Sequence, residues 1–276
     1  MQTELASKDI QLRGKPFLKW AGGKTQLLSS LAPLIPDKYD KYIEPFIGGG
    51  ALYFHLNPTQ SIIADLNEEL IVTYIQVRDK VEDLIIKLKD FKNTEEDYYK
   101  IRALEPTSLS EMERAARFIY LNKTCFNGLY RVNKKGKFNV PYGKRSKVVF
   151  DEERLRNASK ILAGTKILHA NYIEVLRDQV SKGDFIFLDP PYFPVGKFSD
   201  FKRYTKEFFY EQDHIELRNK FAELVEKGCY VLLTNSNHPS ILELYKDFEI
   251  IEVSTKRLIN RNASNRKGVD IIVVGK

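Results

Sequence analysis

Short runs of apolar residues recur along most of the chain, and helical patterns separate them. One strand-like run begins at residue 42, and the others lie at 61–64, 166–169, 185–188, 229–234, 248–253 and 269–274. Apolar residues spaced three and four apart predict helices at 27–34, across 67–124, from 171 to 181 and around 212–226. This alternation predicts an α/β protein built around one sheet.

The middle of the chain departs from that alternation. It reads as several helices, one of which begins at a capping box formed by Ser110 and Glu113. Residues 125–133 and 138–142 then flank a basic turn at 134–137, which predicts a β-hairpin. Aromatic side chains interleaved with Arg and Asn suit a loop that contacts base edges and wedges into a base stack.

The run at 185–188 is followed by Asp189-Pro190-Pro191-Tyr192, where the prolines force the chain out of the sheet. These residues therefore stand at the carboxyl edge of the sheet, where open α/β folds bind ligands. A carboxylate and the Pro190 carbonyl are suited to accept both N–H bonds of an exocyclic amine. Tyr192 is suited to stack on a base. The alternative is an ordinary strand-ending turn that is capped by a packed tyrosine.

Two glycine-rich loops precede helical patterns in the first third of the chain. Gly22-Gly23-Lys24 suits an anionic group, and because Leu18 stands where a P-loop needs glycine, the carboxylate of a small ligand is favoured over a nucleotide triphosphate. Gly48-Gly49-Gly50 permits close approach of a nucleotide-like ligand. Asp65, at the end of the next strand, is placed to bind ribose hydroxyls, and a cap of the following helix is the alternative.

Composition narrows the class of protein. With 276 residues, of which 43% are hydrophobic and 29% charged, the chain is predicted to be globular and cytoplasmic, with no membrane span or signal peptide. Cys125 and Cys229 are predicted to be free thiols, and the four histidines show no metal-ligand spacing.

The net charge of +7 is concentrated in two segments. Ten Lys or Arg and no acidic residue lie between Glu113 and Asp151, and five more lie between Glu252 and Asp270. Removing these fifteen from the 44 basic residues leaves 29 against 37 acidic residues. The segments are therefore predicted to contact a phosphate backbone, and a solvated basic face is the alternative for each.

In this order, the motifs closely resemble those of the Dam-like, alpha-class DNA adenine N6-methyltransferases. The resemblance covers the chain from Lys15 and rests on 19–24, 44–50, Asp65, 127–143 and 189–192. It implies a Rossmann-like methyltransferase sheet that uses S-adenosylmethionine, with an inserted, mainly helical target-recognition domain that carries the hairpin. Residues 1–72 and 151–276 would form the catalytic domain, and 73–150 the inserted domain.

The resemblance also implies roles for individual residues. Asp189, Pro190 and Tyr192 would be catalytic. The cofactor would be bound by Trp20, Lys24, Glu44, Pro45, Phe46, Gly48, Gly50, Asp65, Asn171, Tyr172 and Asp189. Duplex DNA would be bound by Lys19, Phe126, Asn127, Leu129, Arg131, Asn133, Lys134, Lys135, Pro141, Arg261 and Arg266. Asn171-Tyr172 departs from the Asp-Phe of many relatives, although an amide can still bond the edge of an adenine ring.

The expected activity is N6-methylation of a flipped adenine in duplex DNA by a monomer without a metal, and the hairpin's match to GATC-reading members favours GATC. One alternative keeps the chemistry on another DNA sequence, on RNA bases or on glutamine amides. Another is a non-catalytic DNA-binding module, which would not require the glycine loop, Asp65 and the 189–192 loop together.

Overall fold

A mixed sheet organises the protein in the computed structural model, which describes residues 14–20, 22–133, 135–144, 150–194, 209–256 and 267–276. Its seven strands, counted on those residues, are β1 (Tyr42–Glu44), β2 (Ser61–Asp65), β3 (Lys166–His169), β4 (Phe185–Leu188), β5 (Tyr230–Ser236), β6 (Glu249–Lys256) and β7 (Lys267–Gly275). Every strand predicted from an apolar run is present, which confirms the α/β prediction.

The order of the strands places the functional loops. Along the sheet it is β3-β2-β1-β4-β5-β7-β6, with parallel pairing from β3 to β5, while β7 runs antiparallel to both β5 and β6. The chain winds outward from β1 to β3 and then returns to β4 on the other side of β1. Loops that leave β1 and β4 therefore diverge at a topological switch point, which is where open α/β folds bind ligands at the carboxyl edge.

Helices cover both faces of the sheet. Their bounds are α1 (Leu28–Leu31), α2 (Ala51–Leu56), α3 (Glu68–Asp79), α4 (Val81–Lys89), α5 (Glu95–Ala103), α6 (Glu111–Thr124), α7 (Glu152–Leu162), α8 (Tyr172–Asp178), α9 (Glu211–Glu226) and α10 (Pro239–Leu244). Short 3₁₀ turns lie at Lys24–Gln26, Ala32–Leu34, Pro106–Ser108 and Phe126–Gly128. The capping box predicted at Ser110 is confirmed at the start of α6.

The predicted helix at 27–34 and the predicted hairpin at 125–142 are both less regular in the structure than expected. The single helix expected at 27–34 is a chain of short turns with only four α-helical residues, Leu28–Leu31, since Pro33 lacks the N–H that a continuing helix needs. In the described residues of 125–142, antiparallel pairing is limited to isolated bridges of Cys125 with Tyr142 and of Val132 with Phe138. The other backbone hydrogen bonds of these residues are irregular, so they form no strand ladder.

The hydrophobic core lies on both sides of the sheet. One cluster joins strand residues such as Phe185 and Phe187 to buried side chains of α4 and α6, including Leu84 and Ile119. A second cluster lies beneath α8, α9 and α10. A small third cluster joins Tyr98 on α5 to the hairpin. Helices from the segment 73–150 thus share a core with the sheet, and the proposed domain division stays a prediction.

No helix among the described residues is long and apolar enough to cross a membrane.

Candidate active site

Asp189 directly follows β4 at the carboxyl edge of the sheet. Its side chain lies beside the neighbouring strand β5. Its Oδ1 atom accepts a hydrogen bond from the Thr234 hydroxyl at 2.8 Å and pairs with the Lys24 ammonium at 2.6 Å. Lys24 is buried, donates to the Gly22 carbonyl oxygen at 2.6 Å, and lies 4.5 Å from the centre of the Tyr192 ring. The structure thus joins the first glycine loop to the Asp-Pro-Pro-Tyr loop through one cation.

Tyr192 is held as a neutral phenol. Burial raises its pKa well above the ordinary value, and the negative charges of Asp189 and Asp270 add to that effect. Because the hydroxyl keeps its proton, the side chain offers an uncharged ring rather than a base. The Lys24 ammonium covers one face of that ring.

The end of β5 anchors the loop that carries Asp189 and Tyr192. Asn235 Oδ1 accepts from the Phe193 backbone N–H at 3.1 Å, and the Ser236 hydroxyl donates to the Phe193 carbonyl at 2.9 Å. With Thr234, three consecutive buried polar residues hold both ends of the loop. Sequence reasoning assigned them no role, although three polar residues that end a buried strand were a usable signal.

Asp65 is oriented by backbone donors rather than acting as a helix cap. Its two carboxylate oxygens accept from Gly48 N–H at 3.0 Å and Asn67 N–H at 2.9 Å, while Asn67 itself caps α3 through Leu70 N–H. Burial raises the pKa of Asp65 to about 6, because desolvation outweighs these hydrogen bonds. The alternative interpretation of Asp65 as a helix cap is therefore wrong.

The second glycine loop packs directly on Trp20. Gly48 and Gly50 have φ angles of 45° and 67°, which favour glycine, and a Cβ at Gly48 would lie 2.8 Å from the indole ring. Trp20 in turn stacks on Tyr130 of the hairpin at 5.5 Å between ring centres. The loop thus touches the ring predicted to face the cofactor, and that ring touches the hairpin.

Glu44 is a second buried carboxyl group close to Asp189. It accepts a hydrogen bond of 2.6 Å from the Tyr42 hydroxyl and is 2% exposed. Burial raises the pKa of Glu44 well above its ordinary value, and the charge of Asp189 acts in the same direction. Burial and the neighbouring negative charge thus both favour the proton on Glu44.

Phe46 and Tyr172, two of the remaining predicted cofactor residues, pack against each other. Phe46, which follows Pro45 after β1, stacks on Tyr172 with ring centres 5.0 Å apart. Both rings belong to the apolar cluster beneath α8, α9 and α10. The Asn171 oxygen caps α8 by accepting from Ile173 N–H at 3.0 Å, and its amide nitrogen can still donate to a ligand.

The hairpin presents the residues predicted to contact DNA. Arg131 donates through Nε to Asn139 Oδ1 at 2.9 Å, and the Asn133 side-chain oxygen stabilises the turn by accepting from Lys135 N–H at 2.9 Å. Phe126 is 51% exposed. Asn127, which has a positive φ, and Leu129 follow it, the Pro141 carbonyl accepts from Phe126 N–H at 2.9 Å, and Lys135 lies at the turn. Lys134, Arg261 and Arg266 lie outside the described residues.

Lys19 is held against the hairpin by a residue that sequence reasoning missed. The fully buried Asn122 on α6 accepts from Lys19 N–H at 2.9 Å and donates to the Lys19 carbonyl at 2.7 Å. A side chain at Gly128 would collide with that of Lys19. Lys19 is therefore held between α6 and Gly128 at the base of the hairpin.

Comparisons with known proteins place the chain in a family. Residues 20–259 match the sequence model of the D12 class N6 adenine-specific DNA methyltransferases. The chain is 41% identical to the type II methyltransferase M1.LlaDCHI of Lactococcus lactis subsp. cremoris, over 98% of this chain and 97% of that protein. It is 42% identical to the type II methyltransferase M.MjaIII of Methanocaldococcus jannaschii, over 92% and 95%, and 31% identical to the DNA adenine methylase of Escherichia coli (strain K12), over 94% of each. The chain therefore belongs to the D12 class N6 adenine-specific DNA methyltransferases.

Proposed function

We propose that this enzyme transfers a methyl group from S-adenosylmethionine to N6 of an adenine that is flipped out of duplex DNA, within the sequence GATC. The observation that carries this proposal is that Lys24 contacts both Asp189 and Tyr192 at the switch point. The second glycine loop, which contacts Trp20 and Asp65, belongs to the same edge of the sheet. An acceptor for an amine, a neutral ring for stacking and a site for a nucleoside then lie at one edge of the sheet.

The residues present fit the chemical groups of S-adenosylmethionine. Asp65 would accept hydrogen bonds from the ribose hydroxyls, the Phe46 and Tyr172 rings would border the adenine, and Lys24 would pair with the carboxylate of the methionine portion. The cofactor would supply an electrophilic methyl group. Trp20 supports the backbone at Gly48, so the loop keeps the shape that a ligand needs.

The target adenine is bound by the loop after β4. Its amine donates to the Asp189 carboxylate and the Pro190 carbonyl, which favours a pyramidal nitrogen whose lone pair can attack. Tyr192 stacks on the base, and its raised pKa keeps the ring uncharged during the reaction.

The hairpin and the segment 73–150 that carries it form the target-recognition part. Two terminal nitrogens of Arg131 match the O6 and N7 acceptors of guanine, while exposed Phe126 is placed to enter a base stack. Lys19 and Lys135 contact the DNA backbone. The remaining predicted contacts are Asn127, Leu129, Asn133, Lys134, Pro141, Arg261 and Arg266.

A direct assay tests this function. The purified protein is incubated with S-adenosylmethionine and duplexes that differ only in carrying GATC or a scrambled site, and N6-methyladenine is mapped by sequencing. Methylation confined to the GATC adenine is expected. A second duplex carries 2-aminopurine at that adenine and should gain fluorescence when the base leaves the stack. Methylation outside GATC contradicts the target sequence, and methylation without a fluorescence gain contradicts flipping.

Asp65 makes cofactor binding sensitive to pH. Since its pKa is raised to about 6, it is ionised at neutral pH and gains a proton as the pH falls through that value. The protonated carboxyl offers fewer acceptors to ribose hydroxyls, so affinity for S-adenosylmethionine should fall by up to about tenfold per pH unit below 6. Calorimetric titration between pH 5 and pH 8 measures this change.

The variant Asp65→Asn serves as the control for that titration. It should bind the cofactor weakly at every pH and lose the change near pH 6.

The raised pKa also means that the folded protein favours the protonated form of Asp65, so the contribution of Asp65 to the free energy of unfolding should fall as the pH rises through 6. A wild-type affinity that stays flat across this range would remove Asp65 from the ribose site.

A further inference from the structure

Thr234 lies at a position that the register of the sheet places beside Asp189. Strands β4 and β5 pair Leu188 with Leu233, so the next residue on each strand stands next to the other. Thr234 is 0% exposed, and its hydroxyl donates to Asp189 Oδ1 at 2.8 Å. Because threonine is branched at Cβ, few rotamers are open to it on a strand, and the donor stays in place.

The hydrogen bonds to Asp189 within the described residues converge on one oxygen. Both Thr234 and Lys24 contact Oδ1, which leaves Oδ2 to accept from the target amine. Because Oδ1 is held in place, the direction in which Oδ2 points is also fixed. The two donors, however, differ in how well they are suited to hold Asp189 during the reaction.

The Lys24 ammonium lies beside the two residues that are proposed to bind the adenine. It lies 4.5 Å from the centre of the Tyr192 ring, on a face where an adenine would stack, and it pairs with the carboxylate that would bind the amine. A cation there would also repel the positive charge that develops on the attacking nitrogen. The Lys24 contact is therefore less suited than the Thr234 contact to hold Asp189 during the reaction, and Thr234 is fixed on a buried strand.

We propose that Thr234 is a positioning residue for methyl transfer, which holds Asp189 through Oδ1 so that Oδ2 faces the adenine amine. The proposal rests on the proposed function, because it assumes that the amine binds at Asp189. A neutral donor suits this role, since it orients the carboxylate without placing a positive charge beside the nitrogen that itself becomes positive.

The test compares Thr234→Val, which keeps the shape and removes the hydroxyl, with Thr234→Ser, which keeps the hydroxyl. Single-turnover methyl transfer is measured at saturating S-adenosylmethionine and duplex. The valine variant should be slower by about 10- to 100-fold, the cost of losing a hydrogen bond to a charged group. The serine variant should stay within about threefold of wild type, and dissociation constants for cofactor and duplex should change by less than about twofold.

Thr73→Val is the matched control, because Thr73 is also fully buried and its hydroxyl bonds only within α3, to the Glu69 carbonyl. It should transfer methyl groups at the wild-type rate. If Thr234→Val does not fold, as judged by thermal melting, Thr234→Ala removes the same hydroxyl with a smaller side chain.

The outcomes separate this inference from the proposed function. An unchanged rate in the valine variant, an equal loss in valine and serine, or a parallel loss of cofactor binding each overturns the role of Thr234. A wild-type protein that does not methylate DNA adenine from S-adenosylmethionine overturns the proposed function itself, before any variant is compared.

Discussion

Asp189→Ala is expected to slow methyl transfer by at least about 100-fold while leaving binding to duplex DNA nearly unchanged. The carboxylate is the acceptor placed for the amine, and its loss removes an electrostatic contact to charge that develops on nitrogen. The hairpin that is proposed to bind DNA is built from other residues. Single-turnover assays at saturating cofactor, together with duplex binding measured by fluorescence anisotropy, separate these two effects.

Two further variants make this result specific. Asp189→Ala leaves the buried Lys24 without its carboxylate partner, so Asp189→Asn, which keeps the shape and one oxygen acceptor, should retain more activity than alanine. Asp178→Ala removes an exposed carboxylate on α8 that pairs with its neighbour Arg177, and it should be fully active. Near-normal turnover in Asp189→Ala would exclude Asp189 from the mechanism.

The sheet could be predicted because its strands are encoded locally. Phe185–Leu188 is an unbroken apolar run, all of it buried, and such runs are typical of central parallel strands. The loops that follow β1 and β4 could be assigned to one edge because parallel strands end on the same side. The prediction of a ligand crevice therefore needed no knowledge of distant contacts.

The contacts that complete the site could not be predicted in the same way. Thr234 lies 45 residues from Asp189, and only the register between β4 and β5 brings the two together. Lys24 was assigned to a ligand's carboxylate from its place after two glycines, and nothing local to that loop shows that it pairs with Asp189. Such pairings depend on how elements distant in sequence pack.

The hairpin shows a similar limit. Its aromatic and basic composition indicated a recognition loop, yet Tyr130 is partly buried against the main core, where it stacks on Trp20 and packs against Phe118. Burial raises the pKa of Tyr130 to about 12. Alternation within a short irregular hairpin does not show which side chains face the core, because only isolated bridges define its register.

Arg131→Ala is expected to relax the choice of target sequence. The Asn139 oxygen holds Arg131 at Nε, and neither terminal nitrogen donates to another described residue, so both can meet the O6 and N7 acceptors of guanine. Loss of this pair should cost about 1–3 kcal/mol of discrimination at one guanine, which is about 5- to 150-fold. Affinity for S-adenosylmethionine should not change, since Arg131 contacts none of the proposed cofactor residues in the described part of the chain.

Competition between GATC duplexes and duplexes with one substituted guanine measures this discrimination. Arg131→Lys should relax it almost as far as alanine, because an ammonium cannot match the two acceptors with a planar fork. Arg156→Ala, which removes an exposed cation that pairs with Glu82 and Glu152, is the control for a general loss of positive charge. If Arg131→Ala weakens binding equally to every duplex and keeps the ratio between them, Arg131 contacts phosphate, and the guanine is recognised elsewhere.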